Sequence, residues 1–295
     1  MCTSEILILR LPSRPDMAKS IFLLIAALLR FTATYPRGYT QLSDAQMKRL
    51  DEWTEADKQD IWELSGQFEG DIVLDATRNV VLKQASRWVD GVIPYELAPY
   101  FTEFETMWIR KALEQLNETC LTIRERLPED VDYVYITGEK TGCWSKIGRR
   151  GGKQFLNLQR KGPGKGCMKR GTIIHEFLHA AGLYHQQSAA LRDFYIEIVW
   201  KNIEEGKNHN FRKYDTNTTT SFDMPYDYGS IMHYSAYAFS SNGERTIVPR
   251  VANVEIGNRI EMSETDVYKI NQMYCDTTSD TVLPFLRSQE ASVAV

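Results

Sequence analysis

The 295-residue sequence lacks a hydrophobic run long enough to span a bilayer. Its only membrane-like stretch, Ile21–Leu29, has nine apolar residues, whereas a transmembrane helix needs about 20. The chain also lacks a strong excess of charge, because 35 Lys and Arg residues stand against 39 Asp and Glu residues, for a formal net charge of −4. This balance argues against a protein dedicated to binding nucleic acid, whose domain is usually strongly basic.

The short apolar run is preceded by Lys19 and followed by Arg30 and small residues, as in a secretory signal peptide. We predict a signal peptide over residues 1–34, with Met17 as an alternative start. The mature protein would then be secreted and extracellular, with no membrane association after signal removal. The competing interpretation is a signal anchor that stays attached to the chain.

Cysteine is scarce, with five residues in the whole chain. Signal removal would take Cys2 and leave four: Cys120, Cys143, Cys167 and Cys275. An even set in a secreted chain predicts two disulfides, although the sequence alone allows three pairings. Two N-x-T sequons, at Asn117 and Asn217, are candidate glycosylation sites and agree with secretion.

The most informative feature is the stretch HEFLHAAGLYH at residues 175–185, which has the pattern HExxHxxGxxH. Residues four apart lie on one face of a helix, so His175 and His179 can bind the same zinc ion. Glu176 follows the first ligand and can take a proton from the attacking water. Gly182 allows a sharp turn at the helix end that brings His185 round as third ligand. Three protein ligands leave a position open, which is typical of catalytic zinc.

Hydrophobic periodicity and turn residues predict a mixture of helices and strands downstream of an acidic segment. That segment, residues 43–78, has ten acidic and four basic residues and no cysteine, so it is predicted to be distinct from the cysteine-bearing region downstream. The predicted strands are within Trp88–Leu97, at Val131–Thr137 and at Gln154–Leu158. The predicted helices are Thr102–Leu116, the zinc helix at about Thr172–Ala181, and Ser263–Met273.

The histidine motif and a second signature, SIMHY at residues 230–234, together resemble the astacin family of metzincin zinc metallopeptidases. The resemblance covers about residues 79–275. It implies that Met232 forms an apolar base beneath the zinc ligands. It also implies that Tyr234 is a fifth zinc ligand that swings away to hydrogen-bond the tetrahedral intermediate. A phenol suits both roles, because it can coordinate weakly or donate to a developing oxyanion.

A further stretch, Phe68-Glu-Gly-Asp71, resembles the FxGD motif of astacin propeptides. The resemblance implies that Asp71 takes the open zinc position in the zymogen, and a carboxylate is a good zinc ligand. It also places the activation cleavage at Arg78–Asn79, with Arg87 as an alternative.

The same resemblance implies an α+β fold of the metzincin, zincin-like type. Two lobes would flank a cleft: an N-terminal mixed, twisted sheet with helices, and an irregular C-terminal lobe. The chain would divide into a signal peptide (1–34), a propeptide (35–78), a catalytic domain (79–277) and a short polar tail (278–295). Also implied are the disulfides Cys120–Cys275 and Cys143–Cys167, and a substrate bound as a strand along a sheet edge near Gln154–Leu158.

The chain departs from the family pattern directly after the third histidine. Relatives carry a glutamate there that meets the new N-terminus after activation, and this chain has Gln186. An amide accepts a hydrogen bond but cannot balance an ammonium charge. Ala189 and Leu191 replace the arginine and first aspartate of the next family stretch. Because no zinc ligand or base is lost, we expect activity.

We therefore predict a secreted, monomeric zinc endopeptidase with one zinc per subunit, made as a zymogen, that hydrolyses protein or peptide substrates through a zinc-bound water. The alternatives are another metzincin branch and, in a different class, a catalytically silent secreted binding protein on a metzincin fold. Residues 149–170 contain eight Lys or Arg and no acidic residue. They form either a solvated loop, an attractive field for acidic substrates or a polyanion, or a surface that holds the acidic segment before activation.

Overall fold

A mixed β-sheet and a buried helix beside it form the framework that positions the candidate site. The computed structural model describes residues 38–74, 86–216 and 219–275. Within these ranges the strands are β1 (Val92–Leu97), β2 (Thr122–Glu125), β3 (Tyr133–Thr137), β4 (Cys143–Trp144), β5 (Lys153–Leu158), β6 (Ile196–Ile198) and β7 (Ile247–Pro249). The α-helices are α1 (Asp44–Glu52), α2 (Glu103–Leu113), α3 (Arg170–Ala181) and α4 (Glu264–Tyr274). Short 3-10 turns connect them, for example at Ile61–Ser65 and Gln186–Ser188.

The main sheet has the strand order β2-β1-β3-β5-β4, in which β4 is antiparallel to β5 and the other neighbours are parallel. Its strands are rich in β-branched and aromatic residues, which suit a pleated and half-buried surface. In β3, Val134 and Ile136 share one face and are fully buried, whereas Tyr135 between them is partly exposed. The predicted α+β class with an N-terminal mixed sheet is confirmed, and β6 and β7 form a small antiparallel pair in the irregular C-terminal part.

The edge of the main sheet beside the site is one strand further out than predicted. The strand at Lys153–Leu158 pairs with β3 on one side and with β4 on the other, so it is internal at its C-terminal end. The edge strand is β4, which has only two residues, Cys143 and Trp144. The prediction near Gln154–Leu158 came from the family resemblance, and a two-residue strand has no alternation from which the sequence could have located the edge.

Helices α2 and α3 pack against each other, and α3 also packs against β4 and β5 of the sheet. Helix α2 begins at a capping box, in which the Thr102 hydroxyl accepts from the Glu105 N–H at 3.2 Å and the Glu105 side chain accepts from the Thr102 N–H at 2.9 Å. It buries Ile109, Ala112 and Leu113 in the core. Helix α3 is buried along almost its whole length. Its sequence is accordingly mostly apolar on all faces, apart from the His and Glu residues of the motif.

Two disulfides join these elements. Cys120–Cys275 links the segment before β2 to the end of α4, and Cys143–Cys167 links β4 to the turn that precedes α3. These are the pairs that the family resemblance implies. The second bridge fixes the sheet edge next to the start of the zinc-motif helix.

The acidic N-terminal segment, here residues 38–74, lies against the basic loop, residues 149–170. The Lys161 ammonium donates to the backbone carbonyls of Asp51 at 3.0 Å and Trp53 at 2.9 Å. The Lys169 ammonium forms an ion pair with Glu55. Of the three interpretations of the basic loop, these contacts favour the one in which it holds the acidic segment.

Several predicted features lie outside the described residues: the signal peptide, the cleavage site at Arg78–Asn79, the sequon at Asn217 and the polar tail. The other sequon residue, Asn117, is exposed in the 3-10 turn Glu114–Glu118. Among the residues that the structure describes, no helix has the length and apolar character needed to cross a membrane.

Candidate metal centre

Helix α3 and the turn after it bring the three motif histidines together. His175 and His179 lie one turn apart on α3, and both are fully buried. The helix ends at Gly182, whose φ of 118° lies in the left-handed region and allows the chain to turn back. A Cβ at this position would meet Met273 Cε at 2.9 Å, so both conformation and space favour glycine. The turn places His185, which is 2% exposed, opposite the other two rings.

Each histidine ring is oriented by a hydrogen bond from Nδ1, which leaves Nε2 directed at a common point. His175 Nδ1 donates to the Ile231 carbonyl at 2.8 Å, and His179 Nδ1 donates to the Leu183 carbonyl at 2.8 Å. A carbonyl oxygen can only accept, so these two rings carry their proton on Nδ1. His185 Nδ1 is 2.8 Å from a carboxylate oxygen of Glu69. Outer hydrogen bonds of this kind fix metal-binding imidazoles.

Asp71 closes the cluster from the N-terminal segment. Its carboxylate oxygens lie 3.1 Å from His175 Nε2, 3.5 Å from His179 Nε2 and 3.4 Å from His185 Nε2. The four candidate ligand atoms all lie within 4.8 Å of one another, and all four residues are buried. The resemblance implied this set of residues, and the fold brings it together.

The donor set fits a zinc ion. Counting contacts within the described part of the chain, Asp71 Oδ1, His179 Nε2 and His185 Nε2 are buried without a hydrogen-bond partner. Leaving such groups unsatisfied costs several kcal/mol, on the order of 2–7 kcal/mol each by transfer measurements. A cation among three imidazole nitrogens and one carboxylate would satisfy all of them, and this N/O tetrahedral set is one that zinc prefers.

The charge states of His175 and Glu176 suit metal binding and proton transfer, respectively. Burial lowers the pKa of His175 to about 3, so its imidazole is neutral, as a metal ligand must be. Burial and then the nearby Asp71 carboxylate raise the pKa of Glu176 well above its usual range. Both Glu176 carboxylate oxygens are also buried without a partner among the described residues. Glu176 is therefore poised to hold a proton beside the cluster.

The SIMHY turn lies beneath the histidines and is anchored by α4. Met232 is 1% exposed and Tyr234 is fully buried, with its ring centroid 4.8 Å from that of His185. Asp266 accepts from the Ser230 hydroxyl at 2.6 Å and from the Ile231 N–H at 2.9 Å. Asp266 was not predicted from the sequence, where its only signal is its position as third residue of α4, at the capping box formed with Ser263.

The Tyr234 hydroxyl donates to the backbone carbonyl of Glu69 at 2.7 Å. Its predicted role as a fifth zinc ligand thus stays a prediction, because the N-terminal segment holds the hydroxyl here.

Trp62, which was also not predicted from the sequence, covers the cluster. Its ring centroid lies 5.8 Å from that of His175, 5.5 Å from His185 and 4.9 Å from Tyr234. It is 1% exposed and belongs to the hydrophobic core. The only sequence signal for it is a large apolar residue in an otherwise acidic stretch.

Gln186, at which the chain departs from the family pattern, has a hydrogen-bond partner for its side chain in the structure. The Lys269 ammonium donates to Gln186 Oε1 at 2.6 Å, and the Gln186 N–H donates to the Met232 carbonyl at 3.0 Å. Burial lowers the pKa of Lys269. A neutral amide thus faces a buried cation of this chain, directly behind the third histidine.

The N-terminal segment also occupies the sheet edge. The Val73 N–H donates to the Ser145 carbonyl at 2.8 Å, and the Ser145 N–H donates to the Asp71 carbonyl at 2.9 Å. Residues Asp71–Val73 therefore add to the edge in a direction parallel to residues 143–145.

Comparison with known proteins gives one family. The sequence model of the Astacin peptidase family matches residues 80–275. The chain is 38% identical over 235 residues to zinc metalloproteinase nas-7 of Caenorhabditis elegans, covering 78% of this chain and 60% of that protein. It is 39% identical over 213 residues to meprin A subunit beta of Homo sapiens, covering 70% of this chain and 29% of that protein. The chain thus spans only part of these relatives.

Solved structures agree with the family match. High choriolytic enzyme 1, a hatching enzyme zinc-protease from Oryzias latipes, aligns with a TM-score of 0.60 and 37% identity, covering 66% of this chain and 98% of that one. Myroilysin aligns with a TM-score of 0.50 at 23% identity, which shows the fold alone. The family match covers well over half of the sequence and contains the three histidines, so the chain belongs to the astacin family of zinc peptidases.

Proposed function

We propose that this chain is made as a latent zymogen, is secreted, and after removal of its N-terminal segment acts as a monomeric zinc endopeptidase on protein substrates. The observation that carries the proposal is the buried set of three imidazoles with Asp71 in the remaining position. A binding protein without turnover would have no need of a base such as Glu176, buried beside such a set.

His175, His179 and His185 would hold the zinc, with Asp71 as the fourth ligand before activation. When bound, zinc supplies a Lewis acid that lowers the pKa of a water and polarises the scissile carbonyl. Glu176 would accept the proton of the attacking water and pass it to the leaving amine. Its raised pKa makes the carboxylate a stronger base, which favours uptake of the proton from the attacking water.

Tyr234 would stabilise the developing oxyanion. Its hydroxyl is engaged by the Glu69 carbonyl only while the N-terminal segment is in place. Removal of that segment frees the phenol to donate a hydrogen bond to the oxygen that gains charge.

Substrate would bind as an added strand at the sheet edge. The Ser145 N–H and carbonyl are both used by Asp71 and Val73 now, so both groups become available after activation. Backbone pairing of this type binds extended chains with little regard to sequence, and it suits an endopeptidase.

The proposal is tested by treating the full-length protein with trypsin, which cuts after basic residues, and then assaying cleavage of a denatured protein. We expect cleavage only after trypsin treatment and its loss with a zinc chelator. Trypsin must be inhibited before the assay, and the Glu176→Ala variant treated in the same way is the matched control. Proteolysis that persists in the chelator or in Glu176→Ala, or no proteolysis at all, would refute the proposed activity.

A further inference from the structure

One contact separates His185 from the other two motif histidines. The Nδ1 partners of His175 and His179 are the carbonyls of Ile231 and Leu183, which belong to the part of the chain that persists after activation. The Nδ1 partner of His185 is the carboxylate of Glu69, which lies in the N-terminal segment. Under the proposed function, this partner leaves when the segment is removed.

Glu69 is tightly held in this position. Its second carboxylate oxygen accepts from the Tyr214 hydroxyl at 2.7 Å and from the Ser188 hydroxyl at 3.2 Å, and the side chain is fully buried. The Glu69 N–H donates to the side chain of Asn210 at 3.1 Å. All of these partners belong to the region that the family model matches.

The backbone of Glu69 adopts a conformation that few glutamates adopt. Its φ is 48°, in the left-handed region, at a tight turn in which Gln67 and Gly70 exchange two backbone hydrogen bonds of 3.1 Å. An unfavourable backbone conformation that is over-determined by its contacts points to a role for the residue. Here the turn directs the carboxylate to His185 while the Glu69 carbonyl accepts from Tyr234.

We infer that Glu69 is a positioning residue for the zinc site, and that it acts only in the zymogen. A carboxylate on Nδ1 orients a ligand imidazole and makes its other nitrogen a better donor to the metal. The zymogen would therefore bind zinc more tightly than it would if Asp71 were the only contribution of the N-terminal segment to the zinc site. Activation would remove two carboxylates: that of Asp71 from the metal, and that of Glu69 from Nδ1 of His185.

The test measures the zinc affinity of uncleaved, full-length protein by competition with a chromophoric chelator. For Glu69→Gln, we expect zinc affinity to fall about 10- to 100-fold, the usual effect of losing such an outer partner. The matched control is Glu63→Gln, which changes another buried glutamate of the same segment. The Glu63 carboxylate accepts from the N–H groups of Phe239 and Asp60 and, among the described contacts, from no histidine. Its zinc affinity should match that of the wild type.

Activation supplies an internal control, because cleavage followed by chromatographic removal of the segment discards residue 69. The mature enzymes from wild-type and Glu69→Gln zymogens have the same sequence and should have the same zinc affinity and kcat/KM. Equal zinc affinity of the two zymogens, or an equal loss in Glu63→Gln, would overturn the inference. Absence of proteolysis by the mature wild type would refute the proposed function. The zinc affinities of the wild-type and Glu69→Gln zymogens could still be compared, because that measurement does not depend on activity.

A second comparison requires no change at Glu69, in case that variant does not fold. The Asp71→Asn zymogen retains Glu69 and should still hold zinc more tightly than the mature enzyme. Equal affinities of these two species would contradict the role of Glu69.

Discussion

Tyr234 has two contacts with the N-terminal segment that would be lost if the segment is removed. Its hydroxyl has the Glu69 carbonyl as partner, and its ring packs against His185 and Trp62. The residue would thus lose both the acceptor of its hydroxyl and the packing of Trp62 with the segment, and would keep its contact with His185.

For Tyr234→Phe we expect kcat of the mature enzyme to fall roughly 10²- to 10³-fold, the typical cost of losing one oxyanion donor. The ring, the packing and the three histidines are unchanged, so zinc content should stay at the wild-type value. Steady-state kinetics with metal analysis check this. A loss of zinc in the variant, or an unchanged kcat, would contradict the assignment.

The histidine spacing was sufficient to predict that the three imidazoles lie together, because one helical turn and a glycine set their geometry locally. Glu69 and Trp62 could not be predicted in the same way, since they reach the site through contacts with residues more than 100 positions away in the chain. A motif reports local geometry, whereas these contacts depend on how two distant segments dock.

At the scale of elements, α4 supports the turn that carries Met232 and Tyr234. Asp266 binds two donors of that turn with its two oxygens. In Asp266→Asn, one oxygen becomes an NH2 group that faces a donor, so a buried donor is left unpaired.

We expect Asp266→Asn to lower the free energy of unfolding by about 1–3 kcal/mol. Thermal denaturation should show the melting temperature falling by roughly 2–4 °C for each kcal/mol lost in a chain of this size. Glu52→Gln on the exposed face of α1 is the control, because its pair with Lys48 is solvent-exposed. An Asp266→Asn protein as stable as this control would contradict the anchoring role.

The connection between β2 and β3 should contribute to acid sensitivity. The Arg124 guanidinium, together with the Leu127 N–H, lowers the pKa of Asp130 to about 2. Because the folded-state pKa lies below the unfolded value of about 3.9, this contribution is present above pH 4 and is lost as pH falls toward 2. Denaturant titrations should show that the stability difference between wild type and Asp130→Asn narrows over that interval. A constant difference would refute the assignment.

At the scale of the molecule, the acidic segment and the basic loop form a removable interface. The partly exposed Lys161 ammonium contacts the backbone carbonyls of Asp51 and Trp53, and the partly exposed Lys169 ammonium pairs with the Glu55 carboxylate. Such contacts weaken as salt screens them. The cleaved segment should therefore remain bound at low ionic strength and inhibit in trans.

We expect the activity of trypsin-treated enzyme to rise with salt, and to rise less in a Lys161→Gln, Lys169→Gln double variant. Activity against a neutral peptide, measured across a salt series, checks this. Enzyme from which the cleaved segment has been removed by chromatography is the control, and its activity should be independent of salt. An identical salt response of both preparations would contradict the prediction.

The core of the molecule is shared between the segment and the rest of the chain, since Leu42, Leu50, Ile61 and Trp62 belong to the same buried cluster as the sheet and α3. Loss of the segment would therefore expose to water part of the apolar surface that is buried in the full chain. If the segment is removed as proposed, the mature enzyme should be less stable than its precursor, because it lacks part of the core that the full chain buries on folding. Once denatured, it should refold poorly, so its working lifetime is set by the rate of unfolding and not by an equilibrium.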